Sequence, residues 1–398
     1  MATTTSTTGT NREVAGVELL DPVDGASIIA NTERLRPVIE TEAGQVEAHG
    51  CLTPRMKEAL VRAGCFRIGF SRRLGGPELT FHEQTRVIEL LCSVDGSVGW
   101  NVKILSDSGF YASRLSERAA AQVYPSLDYA TAGSFNPPGR ARNVDGGYLV
   151  SGRWNFGSGI RSADQIIGGV HVFDHDEKVI GPNGPLVLGA FLPHDQVAIE
   201  DNWHVTGMRG SGSNSYSVPE VFVPEEHCFV RSADPKPEGD PLDKHVEFPF
   251  YNAVGITLGL ARHALDITRA RITGGPAPMS DRDGVQRLWG EAASYLDVAR
   301  SHAYAVADQL DEVAFTPGRL LEPELFSRMI AMGPVTGELA RRVVEIAVEL
   351  IGSAAIYVDN PLERVVRDMH ANLVHIQNQR RRWVDSAVWD LTGRPARR

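Results

Sequence analysis

The hydrophobic pattern of the chain changes twice, and this feature restricts its fold more than any other. In residues 26–125 and again in residues 250–391, apolar residues recur at helical spacing. Between them, residues 130–224 contain short apolar or alternating runs separated by Gly, Pro and Asp, as is typical of antiparallel strands. The order predicts an α+β fold with a central antiparallel β domain and a C-terminal four-helix bundle.

The same changes predict the domain boundaries. We expect a disordered Thr-rich tail, a helical domain, a β-barrel or β-sandwich domain, a linker rich in Pro, Asp and Lys, and a helical bundle. Their approximate bounds are 1–24, 25–129, 130–232, 233–246 and 247–398.

Composition excludes several classes of partner. The net charge of -10 gives no electrostatic reason for nucleic acid or an anionic membrane to bind. No apolar run approaches the ~20 residues of a membrane helix, and the N-terminus lacks the apolar core of a signal peptide. We therefore expect a cytoplasmic protein that binds neither nucleic acid nor membrane.

A protein-bound metal is not expected. The four cysteines show no metal-binding spacing. His370 and His375 would lie about 140° apart around a helix, and His171 and His175 about 13 Å apart along a strand. Neither histidine pair converges on one ion.

Two segments in the β region pair tryptophan with glycine and small hydroxyl residues. They are residues 152–159 (GRWNFGSG) and 201–213 (DNWHVTGMRGSGS). Glycine lets the backbone approach a ligand closely, and the hydroxyls can bond to the polar edge of a flat ring. The alternatives are a strand with a glycine bulge and a core aromatic residue. Neither GxxxxGK nor a GxGxxG between strand and helix occurs, so a Walker or Rossmann site is not indicated.

Together these segments resemble the flavin-facing strands of the acyl-CoA dehydrogenase superfamily. That resemblance implies an acyl-CoA dehydrogenase-like fold in which Trp154, Ser158, Trp203 and Arg209 bind a flavin. Arg271, in a segment similar to the superfamily's Arg-x-Thr-Phe-Gly, would reach the flavin phosphate across a subunit boundary. The alternative for Arg271 is a solvated arginine at a helix end.

The segment 367–378 (RDMHANLVHIQN) separates two branches of the superfamily. Many acyl-CoA dehydrogenases have Arg-Asp followed by a catalytic glutamate, and here Ile376 occupies that position. His375 precedes it, which resembles the flavin-dependent monooxygenase branch, where a histidine hydrogen-bonds the flavin C4a-hydroperoxide. The resemblance gives His375 and Ser158 catalytic roles. The alternative is a core histidine in an apolar helix.

The stretch 94–108 resembles the part of the family that lines the substrate pocket. Phenol-hydroxylating relatives carry a histidine in its later part, and this chain does not, which leaves room for an indole-like, polycyclic or amine substrate. His82 and His263 are other candidates for that role. The predicted lining residues are Trp100, Asn101, Leu105, Ser106 and Ser108.

The resemblance therefore implies the oxygenase component of a two-component monooxygenase. Reduced FMN or FAD would come from a separate NAD(P)H-flavin reductase, O2 would be the co-substrate, and the protein would be a homotetramer. The substrate would be aromatic, heteroaromatic or heteroatom-bearing. Two alternatives stay open: an acyl-CoA dehydrogenase with Glu247 as its base, and a flavin-binding scaffold without catalysis.

Overall fold

The computed structural model describes residues 12–182, 184–230, 235–274 and 278–394. The first helical region packs around two buried helices, α4 and α5, whose N-termini are capped by Thr80 and Asp95. Its helices are α1 (Gly25–Arg34), α2 (Arg36–His49), α3 (Pro54–Ala63), α4 (Phe81–Cys92), α5 (Gly96–Leu105), α6 (Ser108–Ala112) and α7 (Glu117–Val123).

Part of the predicted disordered tail is ordered. Strands β1 (Arg12–Val14) and β2 (Val17–Leu19) pair as an antiparallel hairpin, and Val14 and Leu19 are buried. Leu20, the residue after β2, is anchored by Asn31 of α1, whose side-chain amide exchanges two hydrogen bonds with the Leu20 backbone. Two apolar residues in a short run are enough to attach this hairpin to the core. Residues 1–11 lie outside the described residues.

The central region is one main sheet, in the order β10-β11-β4-β3-β5-β9-β12 with β6 beside β5. It is mixed, and not antiparallel throughout as predicted, because β3 and β5 are parallel whereas the other neighbours are antiparallel. The strands are β3 (Thr131–Val144), β4 (Gly147–Gly157), β5 (Gln165–Asp174), β6 (Glu177–Lys178), β9 (Val187–Leu192), β10 (Ala198–Ile199), β11 (Asn214–Pro224) and β12 (Cys228–Val230), with β7 (Ile180–Gly181) and β8 (Gly184–Pro185) forming a separate hairpin.

The second helical region consists of five helices in the described part of the chain, and α10 packs against α8, α9 and α12. The helical pattern of the sequence continues through residues 362–389, but α11 ends at Leu373. Gln377 lies directly against Gly333 of α10, where an added Cβ would be 2.0 Å from the Gln377 carbonyl. The helices are α8 (Val254–Thr273), α9 (Asp283–Ala314), α10 (Pro323–Ile351), α11 (Pro361–Leu373) and α12 (Arg381–Thr392).

The predicted linker is packed where the structure describes it. Asp243 is buried and pairs with Arg114 at 2.7 Å and with Lys236 at 2.8 Å. Lys244 donates to the Val313 carbonyl of α9 at 3.1 Å. Its polar residues therefore attach the linker to both helical regions, through an ion pair with Arg114 and a hydrogen bond to α9. Within the described residues, none of the helices is long and apolar enough to cross a membrane.

We predict that Arg114→Ala lowers the free energy of unfolding by about 3 kcal/mol, because it removes one partner of a buried pair. Arg118→Ala is the matched control, since Arg118 pairs with Glu226 on the surface, and we expect less than about 1 kcal/mol. Urea unfolding measures both. Equal losses in the two variants would contradict a structural role for the Arg114–Asp243 pair.

Candidate active site

Three parts of the fold converge at the end of strand β4. The amide of Gly159 donates to the Ser211 carbonyl at 2.8 Å, which joins the end of β4 to the loop 203–213. Asn101 of α5 donates to the Gly210 carbonyl at 2.9 Å. Helix α5 also reaches the turn after α11, because the Trp100 and His375 rings meet edge to face with centroids 5.1 Å apart. The two predicted flavin segments and His375 are therefore joined through α5.

A row of buried hydroxyl groups occupies the β side of this site. Ser158 Oγ lies 2.7 Å from Ser213 Oγ, and Ser211 Oγ lies 2.9 Å from the same atom. A hydroxyl can donate one hydrogen bond and accept others, so the row can rearrange its protons to match a ligand. Ser158 was predicted, whereas Ser211 and Ser213 were recognised only as part of a small-residue run.

Trp154 does not fit its predicted role as a cofactor contact. Its side chain is fully buried in the sheet, stacks on Tyr216 at 5.3 Å, and donates to the Gly169 carbonyl at 2.8 Å. Glycines leave room for the indole: a Cβ at Gly139 or Gly168 would come within 2.5 or 2.7 Å of the ring. With no exposed surface for a bound ring, Trp154 is a core-packing residue.

Phe156 presents the aromatic surface that was assigned to Trp154. Regular alternation would place both residues on one face of β4. However, Phe156 has a φ of 63°, and the register shifts opposite it between Asn214 and Tyr216. The Phe156 side chain is consequently 68% exposed and faces the Trp203 ring edge on at 6.3 Å. Sequence reasoning missed Phe156 because an irregular strand breaks the alternation rule.

The two arginines that were predicted to bind the flavin lie in different places. Arg209, in the loop 203–213, donates to the Val205 carbonyl at 3.0 Å and lies 3.8 Å from Glu47. Arg271 is exposed in the last turn of α8. Exposure leaves each guanidinium accessible, and the contact of each arginine with a flavin stays a prediction.

His375 lies in a turn, not inside a helix as expected. Its amide donates to the Asn372 carbonyl at 3.1 Å, and its carbonyl accepts from the Asn378 amide at 2.9 Å. Burial lowers the pKa of the half-buried imidazole to about 4, and the positive charges of Lys103 and Arg382 act in the same direction. At neutral pH the ring is therefore uncharged, and it can donate one hydrogen bond while accepting another.

Helix α5 supplies some of the predicted lining residues. Within the described chain, Trp100 Nε1 and Asn101 Oδ1 are buried polar atoms without a hydrogen-bond partner. Leu105 is buried beneath Gly159, where an added Cβ would lie 3.0 Å from the leucine side chain. Ser106 and Ser108 are core residues; the Ser108 hydroxyl bonds to the Tyr129 carbonyl at 2.7 Å and Thr131 Oγ1 at 2.9 Å. Their role in lining a substrate pocket stays a prediction.

The other histidine candidates have different surroundings. His82 bonds to Asp308 of α9 at 2.7 Å. His263 lies on α8, and burial together with Arg36 and Arg364 lowers its pKa to about 4. Neither contact links these histidines to His375 or Ser158. Glu247, the alternative base, lies 3.9 Å from Arg382 and lines a cavity of about 40 Å³ with Gln377 and Asn378.

A clamp that sequence reasoning missed joins the loop 203–213 to α11. The buried Asp368 carboxylate accepts the Met208 amide at 2.6 Å, and Arg367 donates to the Thr206 carbonyl at 2.8 Å. Between them, Gly207 packs so tightly that a Cβ would be 2.1 Å from the Arg367 carbonyl oxygen. Burial, with the nearby charge of Asp95, raises the pKa of Asp368 to about 7. The sequence showed the Arg-Asp pair but not its partner.

The fold defines the chain as an acyl-CoA dehydrogenase-type protein. A family model for the acyl-CoA dehydrogenase C-terminal domain matches residues 251–380. The described residues contain no group of three or more His, Cys, Asp or Glu suited to a metal.

Comparison with characterised proteins defines the branch. The chain is 30% identical to indole-3-acetate monooxygenase of Pseudomonas putida over 327 residues, covering 80% of this chain and 82% of the relative. It is also 30% identical, over 385 residues, to the flavin-dependent monooxygenase oxygenase subunit HsaA of Mycobacterium tuberculosis, covering 89% and 92%. The HsaA crystal structure superimposes with a TM-score of 0.85 at 24% identity, covering 94% and 99%. The chain belongs to the flavin-dependent monooxygenase branch of the acyl-CoA dehydrogenase superfamily, which confirms the predicted family, fold class and enzyme class.

We predict opposite behaviour for Trp154 and Phe156. Trp154→Phe should lower the free energy of unfolding by about 2 kcal/mol, because it opens a cavity and removes the bond to Gly169, and should leave the flavin dissociation constant unchanged. Phe156→Ala should change stability by less than about 0.5 kcal/mol and weaken flavin binding about threefold to tenfold. Urea unfolding and titration with oxidised flavin measure these effects. The reverse pattern would restore Trp154 as the cofactor contact.

We also predict that His375→Asn makes stability less dependent on pH. The native pKa of about 4 lies below the ordinary value of 6.5, so the unfolded chain binds the proton first as the pH falls. The stabilisation present above pH 6.5 is therefore lost between pH 6.5 and 4 in the wild type, and this loss disappears in the variant. His370→Asn, a change at an exposed residue of α11, is the control. Parallel curves for wild type and His375→Asn would contradict the prediction.

Proposed function

We propose that this flavin-dependent monooxygenase binds reduced FMN or FAD, supplied by a separate NAD(P)H-flavin reductase, and uses O2 to oxygenate an aromatic, heteroaromatic or heteroatom-bearing molecule. The observation that carries the proposal is His375, an uncharged imidazole held against Trp100 and directly before Ile376, the residue at the position of the dehydrogenase glutamate. The names of the relatives support an aromatic substrate and the requirement for flavin.

The residues at the site fit a flavin. The polar edge of its ring system carries donors and acceptors, which match the Ser158–Ser213–Ser211 row and the unpartnered Asn101 Oδ1 among the described residues. The backbone can approach closely at Gly159, where a Cβ would lie 2.8 Å from Asn101 Oδ1. We propose that Phe156 and Trp203 provide the aromatic contact, and that Arg209 and Arg271 bind the phosphate end.

Each residue then has a defined task. When bound in its reduced form, the flavin supplies two electrons, so that one oxygen atom of O2 enters the substrate and the other leaves as water. His375 would donate a hydrogen bond from its neutral ring to the bound flavin. Ser158 would donate a hydrogen bond to it from the end of β4. Leu105 excludes water beneath Gly159, which strengthens both hydrogen bonds. Ile376 cannot accept a proton, so abstraction of a substrate α-proton has no base at this position.

We propose a homotetramer as well. Two segments of the second helical region, one before and one after α11, expose apolar side chains: the loop Ile356 to Val358, where Val358 is 91% exposed, and the turn with Val374 and Ile376. Clusters of this kind mark surfaces that another subunit covers.

We predict that His375→Ala changes how the flavin-loaded protein reacts with O2. Rapid mixing of the anaerobic protein, carrying reduced flavin, with oxygenated buffer should reveal in the wild type a transient absorbing species that differs from both reduced and oxidised flavin. Loss of the imidazole donor should shorten its lifetime at least about tenfold and increase release of hydrogen peroxide. His370→Ala should behave as the wild type.

Wild-type oxidation at the rate of free flavin, without a transient, would overturn the proposal. The dehydrogenase alternative makes a separate prediction, because an acyl-CoA thioester would then reduce the bound flavin anaerobically. Loss of that reduction in Glu247→Gln would identify Glu247 as the base.

A further inference from the structure

Helix α5 and the residues that follow it form a face with charged groups. The proposed oxygenation does not use these groups. Gly96, Trp100, Lys103 and Asp107 follow one another at intervals of four, three and four residues, which places them on a single face. At one end of this face, Gly96 packs against Leu260 of α8 and Asp368 of α11. Trp100 follows and contacts His375. Lys103 is therefore one turn of helix beyond the residue that contacts His375.

Lys103 is buried to an unusual degree. Only 3% of its side chain is exposed, and its ammonium group lies 3.0 Å from each oxygen of Asp107, a side chain that is itself largely buried. Lysine is almost never fully buried, and the cost of desolvating such a pair often exceeds the attraction between its members. A well-packed apolar pair would be at least as stable, so stability does not explain this one.

The donors on this face outnumber the acceptors. The Lys103 ammonium group donates two hydrogen bonds to Asp107, and it has no other hydrogen-bond partner among the described residues. An ammonium group has three donors, so one remains. The Trp100 indole N–H, one turn away on the same face, has no acceptor within the described chain. The face therefore offers a cationic donor and a neutral donor beside His375.

Charges on the neighbouring elements agree with this arrangement. Arg382 at the start of α12 is the other cation that acts on His375, and its own carboxylate partners, Glu247 and Asp385, lie at 3.9 and 3.8 Å. These contacts are longer than a charge-assisted hydrogen bond, for which about 2.7–2.9 Å is usual. A negatively charged group bound beside His375 would be attracted by both cations.

We propose that Lys103, together with the indole N–H of Trp100, forms a carboxylate-binding element of the substrate site, so that the substrate is an aromatic acid. Two donors on adjacent turns match the two oxygens of a carboxylate, and the aromatic part of the acid lies against Trp100 and His375. Asp107 holds the ammonium group in place. The same positive charge disfavours an amine substrate, one of the classes that the sequence left open. This inference rests on the proposed function in one respect: the bound acid is taken to be the substrate of the enzyme.

Binding to the oxidised flavoprotein tests the proposal, because it does not depend on oxygen chemistry. The probes are phenylacetate, indole-3-acetate and 2-naphthoate, each compared with its own neutral amide, and the change in the flavin spectrum reports the dissociation constant. We expect at least one acid to bind the wild type about tenfold or more tightly than its amide, since a hydrogen bond to a charged group is lost in the amide. Lys103→Met should reduce this preference to less than about threefold.

Lys57→Met is the matched control, because Lys57 forms a partly exposed pair with Asp164 at 2.8 Å, and it should retain the preference. If Lys103→Met does not fold, Trp100→Phe, which keeps the ring and removes the N–H, should weaken acid binding more than amide binding. Equal binding of every acid and its amide by the wild type, or an undiminished preference in Lys103→Met, would overturn the proposal. Acid preference without a transient species in rapid mixing would leave the carboxylate site in place and reject the oxygenase chemistry.

Discussion

The hydrogen bond between the Met208 amide and the buried Asp368 carboxylate is the interaction on which the arrangement of the site depends. Met208 has a left-handed backbone, with a φ of 53°, a conformation that costs free energy in a residue other than glycine. The carboxylate compensates for that cost and attaches the loop 203–213 to α11. The far end of the loop holds Ser211 and Ser213, and the chain leaving α11 holds His375. One buried carboxylate thus fixes the distance between the hydroxyl side and the imidazole side of the site, and its raised pKa shows how strongly burial opposes its charge.

Helix α5 connects these two sides because its faces have different partners. Asn101 and Leu105 face the loop and Gly159, whereas Trp100 and Lys103 face α11 and the turn after it. A helix buried on several sides would be most stable with apolar residues throughout. This one retains Asn101, Lys103 and an unpartnered indole N–H at a net cost, and such costs concentrate at functional sites. The polar residues of α5 are therefore the part of the first helical region that function explains better than stability does.

The sequence predicted what depends on periodicity and on local motifs, and failed where tertiary contacts override them. The change from helical to β pattern gave the order of the elements, and the position of His375 beside Ile376 indicated the correct branch. The sequence assigned the aromatic cofactor contact to Trp154 and missed Phe156, because a bulge and a left-handed residue reverse the alternation of β4. The break between α11 and α12 was missed because Val374 and Ile376 look like core residues of a helix, although both are exposed. Asp243 and Lys244 suggested a solvated linker because a sequence does not show that charges will be paired and buried.

The electrostatic setting of His375 connects the chemistry to the choice of substrate. An imidazole must stay neutral to offer a fixed pattern of one donor and one acceptor, and the adjacent positive charges of Lys103 and Arg382 favour that state without touching the ring. Cations placed there for this purpose alone would be costly, since each must be desolvated. A substrate carboxylate gives them a second purpose, because it receives their hydrogen bonds and neutralises part of their charge. In this arrangement, burial keeps the imidazole neutral, the charge of Lys103 acts in the same direction, and the same lysine selects the substrate, so that it contributes to both the reactivity and the specificity of the site.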